Sequence, residues 1–230
     1  MINQANKLAL LEAYQNVREY FKGPIYRGDG AVVPFTIDSR PLQWQPKSAK
    51  LIVKLLAHEA SKFKPQAIAG GLTGGALWGV QVANKLNLPF ILVRKQPRGR
   101  SIDRGLIEGE LVKGRRVVVI DDSLISGETA SKFAQTIKKA KFTIIGCVVI
   151  QIMNLGYIKK WEGINKIPVK YLLSYKEQAD NFYKRGLIDK ELRYLLYKFI
   201  AKPYTWHKNK SDYKIFERRL AKQKVWRVVK

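Results

Sequence analysis

The sequence predicts an α/β fold, with a central parallel sheet flanked by helices, an N-terminal hood and a basic C-terminal extension. Three observations carry that prediction. Apolar runs such as PFILVR (89–94), RVVVID (116–121) and FTIIGCVVI (142–150) are continuous rather than alternating, as in strands buried on both faces. Stretches with helical spacing lie between them. Short polar or Gly-containing loops join the two kinds of segment, and that alternation builds parallel sheets.

Taken in order, residues 3–21 place Leu8, Leu11, Ala13 or Tyr14, Val17 or Arg18, and Phe21 at helical spacing, and Gly23-Pro24 ends that helix. AVVPFTID (31–38) reads as short strands or an irregular hood. Ser48 is placed to cap a helix from Ala49 to Phe63, with Leu51, Ile52, Leu55 and Leu56 on one face. Gln66–Ala69 is a short buried strand, residues 70–75 a tight glycine loop and Ala76–Leu86 a helix. Pro89–Arg94 is a strand, and residues 95–110 form a charged loop. Arg116–Asp121 is a strand, Ser126–Ala140 a helix and Phe142–Ile150 a further strand. Beyond Ile150 the pattern loosens. Ile167–Ser174 suits an edge strand, and helices at Lys176–Tyr183 and Asp189–Ala201 are separated by Arg185-Gly186. The expected organisation is an N-terminal helix and hood over 1–46, a core over 47–175 and a helical, basic extension over 176–230.

Composition narrows the function classes. A chain of 230 residues can bury a full core without staples, and its one cysteine, Cys147, excludes a disulfide framework and a cysteine metal site. Two histidines argue against structural zinc. The N-terminus lacks the apolar core of a signal peptide, and no stretch is long enough to span a bilayer. A soluble, cytoplasmic protein is expected. The net charge is +25, from 43 Lys+Arg against 18 Asp+Glu. Residues 151–230 hold twenty of those cations and seven of the anions, so the excess is denser in the C-terminal third. Such a surface attracts polyanions or phosphorylated metabolites.

The segment from Val117 to Thr129 carries the chemistry. It is an apolar strand, two acids, a short loop with Gly127, and a helix start. Ligands of parallel sheets sit at the C-terminal ends of strands. A helix N-terminus offers unpaired N–H groups and a positive dipole end, which suit a phosphate. Gly127 lets the backbone approach closely, and Ser126 and Thr129 add hydroxyls. Asp121 and Asp122 can accept from vicinal ribose hydroxyls or hold Mg2+ through water. The competing reading is a plain strand followed by a helix capped by Ser126. The full thirteen-residue string favours a phosphorylated ribose.

VVVIDDSLISGETA (117–130) resembles the phosphoribosyl-pyrophosphate (PRPP) motif of type I phosphoribosyltransferases, and the chain is most similar to orotate phosphoribosyltransferases. PFTIDSR (34–40) is similar to the family's hood segment. AGGLTGGALWG (69–79) stands at the pyrophosphate loop, and VRKQPRGRSIDRGLIEGEL (93–111) at the strand and mobile loop. The resemblance covers roughly residues 20–150 and implies a type I phosphoribosyltransferase fold. It implies that pyrophosphate is displaced from PRPP by a nitrogenous base, with Mg2+, in a homodimer. By position, Asp121 and Asp122 would hold the ribose hydroxyls and the metal through PRPP and water. Ile125, Ser126, Gly127, Glu128 and Thr129 would cradle the 5′-phosphate. Arg94, Lys95 and the backbone of Thr73 and Gly74 would contact pyrophosphate. Arg98 stands where orotate enzymes keep a catalytic lysine, and Arg100 where they often keep a histidine that meets PRPP.

The chain departs from the family's pattern at several positions. Ile125 replaces a Thr or acid, Glu128 puts a negative charge in the phosphate loop, and Gln151 stands where orotate enzymes carry an Asp-Arg pair. The acceptor therefore stays open between orotate and a neutral base. Residues 202–230 interleave aromatic and basic residues, among them Tyr204, Trp206, Lys208, Lys210, Tyr213, Phe216 and Arg218. This tail supports the alternative reading of a non-catalytic regulator or nucleic-acid-binding protein. It equally suits a capping helix with its aromatics packed inward.

Overall fold

The computed structural model describes residues 2–14, 21–22, 24–26, 32–96, 105–110 and 112–222. In chain order the elements are α1 (Gln4–Ala13), β1 (Phe21–Lys22), β2 (Ile25–Tyr26), β3 (Val32–Val33), β4 (Thr36–Ile37), α2 (Pro46–Ser61), β5 (Ala67–Gly71) and α3 (Gly74–Leu86). There follow β6 (Phe90–Val93), β7 (Ile107–Glu108), β8 (Arg116–Leu124), α4 (Glu128–Lys139), β9 (Thr143–Ile152), α5 (Leu155–Asn165), β10 (Val169–Ser174), α6 (Tyr175–Lys184), α7 (Lys190–Ala201) and α8 (Lys210–Lys222). Short 3-10 turns occupy Arg40–Trp44 and Trp206–Lys208. The chain forms two compact units, one of Met1–Ala13 and Ser39–Ser174, the other of Tyr14–Asp38 and Tyr175–Lys230.

The first unit holds a six-stranded sheet in the order β10-β9-β8-β5-β6-β7. All pairings are parallel except the short antiparallel β6–β7 pair. The predicted parallel sheet with flanking helices is therefore present. Chain order runs outward from β5 to β6 on one side and from β8 through β9 to β10 on the other. The reversal between β5 and β8 is a topological switch point, where the first turns of the following helices part and leave a crevice. β5 is buried along its whole length and β9 from Gly146 onward, apart from a half-buried Ile145 before it, as their unbroken apolar composition requires. Phe133, Ala134 and Ile137 of α4 close one face together with Trp161 and Ile158 of α5.

The structure corrects several sequence-based boundaries. The first helix ends at Ala13, and Phe21, its expected last apolar position, lies in β1. α2 starts at Pro46 with Gln45 at the cap, and Ser48 instead donates its hydroxyl to Gln45 Oε1 at 3.1 Å. Proline's fixed φ and missing N–H suit the first helical position, and that outweighs the serine signal. The charged loop over 95–110 contains β7. β8 and β9 run on to Leu124 and Ile152, past the expected ends at Asp121 and Ile150.

The sequence pattern also left α5 unseen. Its apolar Leu155 and Ile164 are exposed while Ile158 and Trp161 are buried, so no single apolar face announces the helix. Local chemistry fixes it instead. The Asn154 side chain accepts from Gly156 N at 2.7 Å, and Glu162 Oε1 accepts from Val169 N at 2.6 Å, tying the helix to β10.

The second unit joins the hood to the C-terminal helices. β1 pairs with β4 and β2 with β3, both antiparallel. Trp206 Nε1 donates to Val32 O at 2.8 Å, and the Tyr26 and Tyr213 hydroxyls are 2.7 Å apart. Phe216 is fully buried, in edge-to-face contact with Tyr26 and Trp206. The cations of α7 and α8 are partly committed: Arg219 bonds Asp189 at 2.7 Å, Arg218 bonds Glu191, and Arg193 bonds Asp180 at 2.6 Å. Residues 210–222 of the tail are thus a helix, and burial withdraws Trp206 and Phe216 as base-stacking platforms, while Tyr213 is half-buried and Tyr204 exposed.

Candidate active site

The site is built at the switch point between β5 and β8. β8 delivers Asp121 and Asp122 near its C-terminal end, and Ile125, Ser126 and Gly127 turn the chain into α4. Gly127 is the helix cap, with φ 81° and ψ 0°. That left-handed conformation is cheap only for glycine. The sequence reading placed the start of the helix at Ser126. The left-handed glycine moves the start to Glu128, and Ser126 now accepts from Glu128 N over a long 3.4 Å. The first N–H groups of α4 have no intrahelical partners, and the dipole's positive end lies with them. Glu128 does not oppose an anion there with its side chain, which pairs with Lys132 at 2.8 Å, both strongly exposed. Ser126 and Thr129 are exposed, and Ile125 is half-buried.

α3 meets this loop from the neighbouring strand. It starts at Gly74, with Thr73 as its cap, after a cis peptide between Leu72 and Thr73. A Cβ built on Gly74 would stand 2.5 Å from Asp122 Oδ2, and one on Gly75 would stand 2.9 Å from Asp121 Oδ1. The start of α3 therefore rests against both carboxyls.

The two acids differ in environment. Asp121 Oδ1 accepts from Asp122 N at 2.9 Å. Burial raises its carboxyl well above the usual carboxylate range, the neighbouring Asp122 charge adds to the rise, and Lys95 opposes it. A raised acid adjacent to a second one, beside the α3 N-terminus, suits hydroxyl donors or a cation. Among the described residues no group of three or more His, Cys, Asp or Glu is gathered as a metal cage. Two carboxylates do fit Mg2+, which takes much of its shell from water and substrate phosphates.

The remaining expected residues are distributed as follows. Arg94 follows β6, and its Nε donates to Glu108 Oε1 on β7, which raises the arginine's pKa further. Its partner Glu108 gave no signal in the sequence, because it lies fourteen positions further along the chain. Lys95 is exposed. Arg98 and Arg100 lie outside the described residues. Gln151 is buried on β9, in register with Ser123 of β8, and Asn154 is the cap of α5. Trp161, absent from the sequence-based candidates, contacts the loop between β8 and α4: its Nε1 lies 3.1 Å from Gly127 O and 2.9 Å from Ser131 Oγ.

Comparison with known proteins gives the same picture. A family model described as phosphoribosyl transferase domain matches residues 42–171. The orotate phosphoribosyltransferase of Porphyromonas gingivalis is 30% identical over 187 residues, covering 80% of this chain and 88% of that protein. The solved orotate phosphoribosyltransferase of Aeropyrum pernix is 23% identical with a TM-score of 0.62, covering 77% of this chain and 99% of its own. UMP synthase of Leishmania donovani is 23% identical with a TM-score of 0.71, covering 86% of this chain. The present chain spans 42% of that longer protein, and the likeness is one of fold. No helix among the described residues is long and apolar enough to cross a membrane.

Proposed function

Since this chain belongs to the phosphoribosyltransferase family, we propose that the crevice between β5 and β8 is its PRPP site and that the acceptor is an orotate-like pyrimidine. The enzyme transfers the 5-phosphoribosyl group from PRPP to a nitrogenous base and releases pyrophosphate. The observation that supports the site is the start of α3 resting against Asp121 and Asp122, the acids that end β8 just before the loop into α4, at the switch point.

In this reading the bond from the anomeric carbon to the pyrophosphate oxygen breaks and a bond from that carbon to a ring nitrogen of the base forms. The pyrophosphate leaves with the electron pair of the broken bond. Backbone N–H groups from Ser126 to Thr129 hold the 5′-phosphate. Asp121 and Asp122 accept from the ribose hydroxyls, fixing the sugar while positive charge develops on it. The α3 start at Thr73 and Gly74, with Arg94 and Lys95, faces the pyrophosphate, and the family resemblance gives Arg98 and Arg100 the same role. Arg94 reaches that role from its ion pair with Glu108, which fixes the side chain's direction. Asp121 and Asp122 would hold Mg2+ through PRPP and water, and the ion supplies positive charge against the leaving group. A homodimer and a cytoplasmic location complete the proposal, both on the family resemblance. The nucleic-acid alternative is less favoured, since Trp206 and Phe216 of the tail are buried.

The test is pyrophosphate release from PRPP and Mg2+ across orotate, uracil, adenine, guanine and hypoxanthine. Turnover should be highest with orotate. Turnover with a neutral base instead would move the acceptor, in keeping with Gln151 in place of an arginine. Intact PRPP binding with no turnover on any base would contradict the enzyme reading.

A further inference from the structure

We infer that Trp161 is a positioning residue for the phosphate loop, holding the Gly127–Glu128 peptide so that its N–H faces the bound phosphate. The inference rests on the PRPP reading of that loop. The carbonyl of Gly127 accepts two hydrogen bonds, from Ser131 N at 2.8 Å and from Trp161 Nε1 at 3.1 Å. A carbonyl oxygen has two lone pairs, so this one is fully engaged. The same peptide plane carries the N–H of Glu128, which must point opposite to the carbonyl. Fixing one end therefore fixes the other, at the helix start where an anion would bind in place of the long 3.4 Å contact from Glu128 N to Ser126 Oγ.

The indole is itself held from three sides. It is 6% exposed and belongs to the core formed by Leu124, Phe133 and Ile158. Its Nε1 also donates to Ser131 Oγ at 2.9 Å, one turn into α4. A Cβ on Gly127 would stand 2.3 Å from Trp161 Cδ1, so the ring lies directly against the loop's left-handed glycine. α5, which carries the tryptophan, is anchored by Asn154 at one end and through Glu162 to β10 at the other. None of these groups touches the ribose acids, so the contribution falls on phosphate affinity rather than on the chemical step.

The test compares steady-state kinetics of the full-length enzyme with Trp161→Phe, which keeps an aromatic ring and removes the N–H. The KM for PRPP should rise about five-fold, the loss of one hydrogen bond, while kcat and the KM for the base change by less than about two-fold. Ser131→Ala leaves Gly127 O as the indole's acceptor and should stay within about two-fold of wild type on all three. A Trp161→Phe enzyme with wild-type KM for PRPP overturns the inference, and so does an equal fall in kcat for both variants. If Trp161→Phe does not fold, 15N-labelled wild-type enzyme decides. The Trp161 indole resonance, assigned by its proximity to Ser131, should shift on titration with PRPP, and an unmoved resonance on a saturated enzyme overturns the inference. A wild-type enzyme that neither binds nor turns over PRPP would contradict the PRPP reading itself, and is thereby distinguished from a failure at Trp161.

Discussion

Asp121→Asn should make the protein more stable and nearly inactive at once. The Asp121 carboxyl is held above its usual range by burial and by the Asp122 charge. A buried carboxylate beside another carboxylate is unfavourable in the free enzyme, and the amide removes that repulsion while keeping the shape. The expected rise in Tm at neutral pH is about 2–4 °C, the shift that about 1 kcal/mol produces in a chain of this size. On the proposed role of Asp121 the ribose hydroxyls lose a carboxyl acceptor, and kcat/KM for PRPP should fall about 10–100-fold. The pH dependence follows the same sign. Above the ordinary carboxyl value of 3.8 the unfolded chain has released this proton while the folded chain retains it. Stability from this group is therefore lost as pH rises from that value through the raised folded one, and Asp121→Asn should flatten that part of the curve. Thermal melts across pH, with PRPP kinetics on the same samples, check both halves. A destabilised variant of normal activity would show that the carboxyl is neither strained nor used.

The second large effect is expected at Gly74→Ala. A methyl there would stand 2.5 Å from the Asp122 carboxyl, well inside van der Waals contact. Either Asp122 turns away or the start of α3 withdraws, and each displaces a group that the proposed function sets against PRPP. A misplacement of about 1 Å costs on the order of 10²-fold in rate when geometry carries the catalysis. We expect kcat/KM to fall by about that factor, with a modest loss of Tm. Gly163→Ala on α5 is the control: nothing lies within 4 Å of the added carbon, and a helical glycine-to-alanine change should leave activity alone and raise stability by about 0.5–1 kcal/mol. Equal losses from both substitutions would mean that the Gly74 result reports general destabilisation.

Much of this site is legible in the sequence because its logic is local. The apolar run before Asp121 fixes a strand, and the loop with Gly127 fixes a helix start within one or two residues. The parallel sheet follows from the continuous runs at 116–121 and 142–150. What escaped depends on contacts between distant segments. Trp161 lies on a helix with Leu155 and Ile164 exposed, so periodicity did not reveal it. Its role depends on Gly127, thirty-four residues earlier. Glu108 meets Arg94 only because β7 folds back antiparallel to β6. The hood strands and α8 share a unit through Trp206 and Val32, an association across 174 residues that no local pattern encodes. The aromatic spacing of 204–216 admitted both a stacking surface and a packed helix, and only burial decides between them.

A crystal structure of the enzyme with PRPP and Mg2+ tests the central claim most directly. The 5′-phosphate should lie within hydrogen-bonding distance of the backbone N–H groups of Ser126 to Thr129, with the ribose hydroxyls on Asp121 and Asp122. PRPP bound with its phosphate away from that loop, or with both carboxyls turned from the sugar, would contradict it.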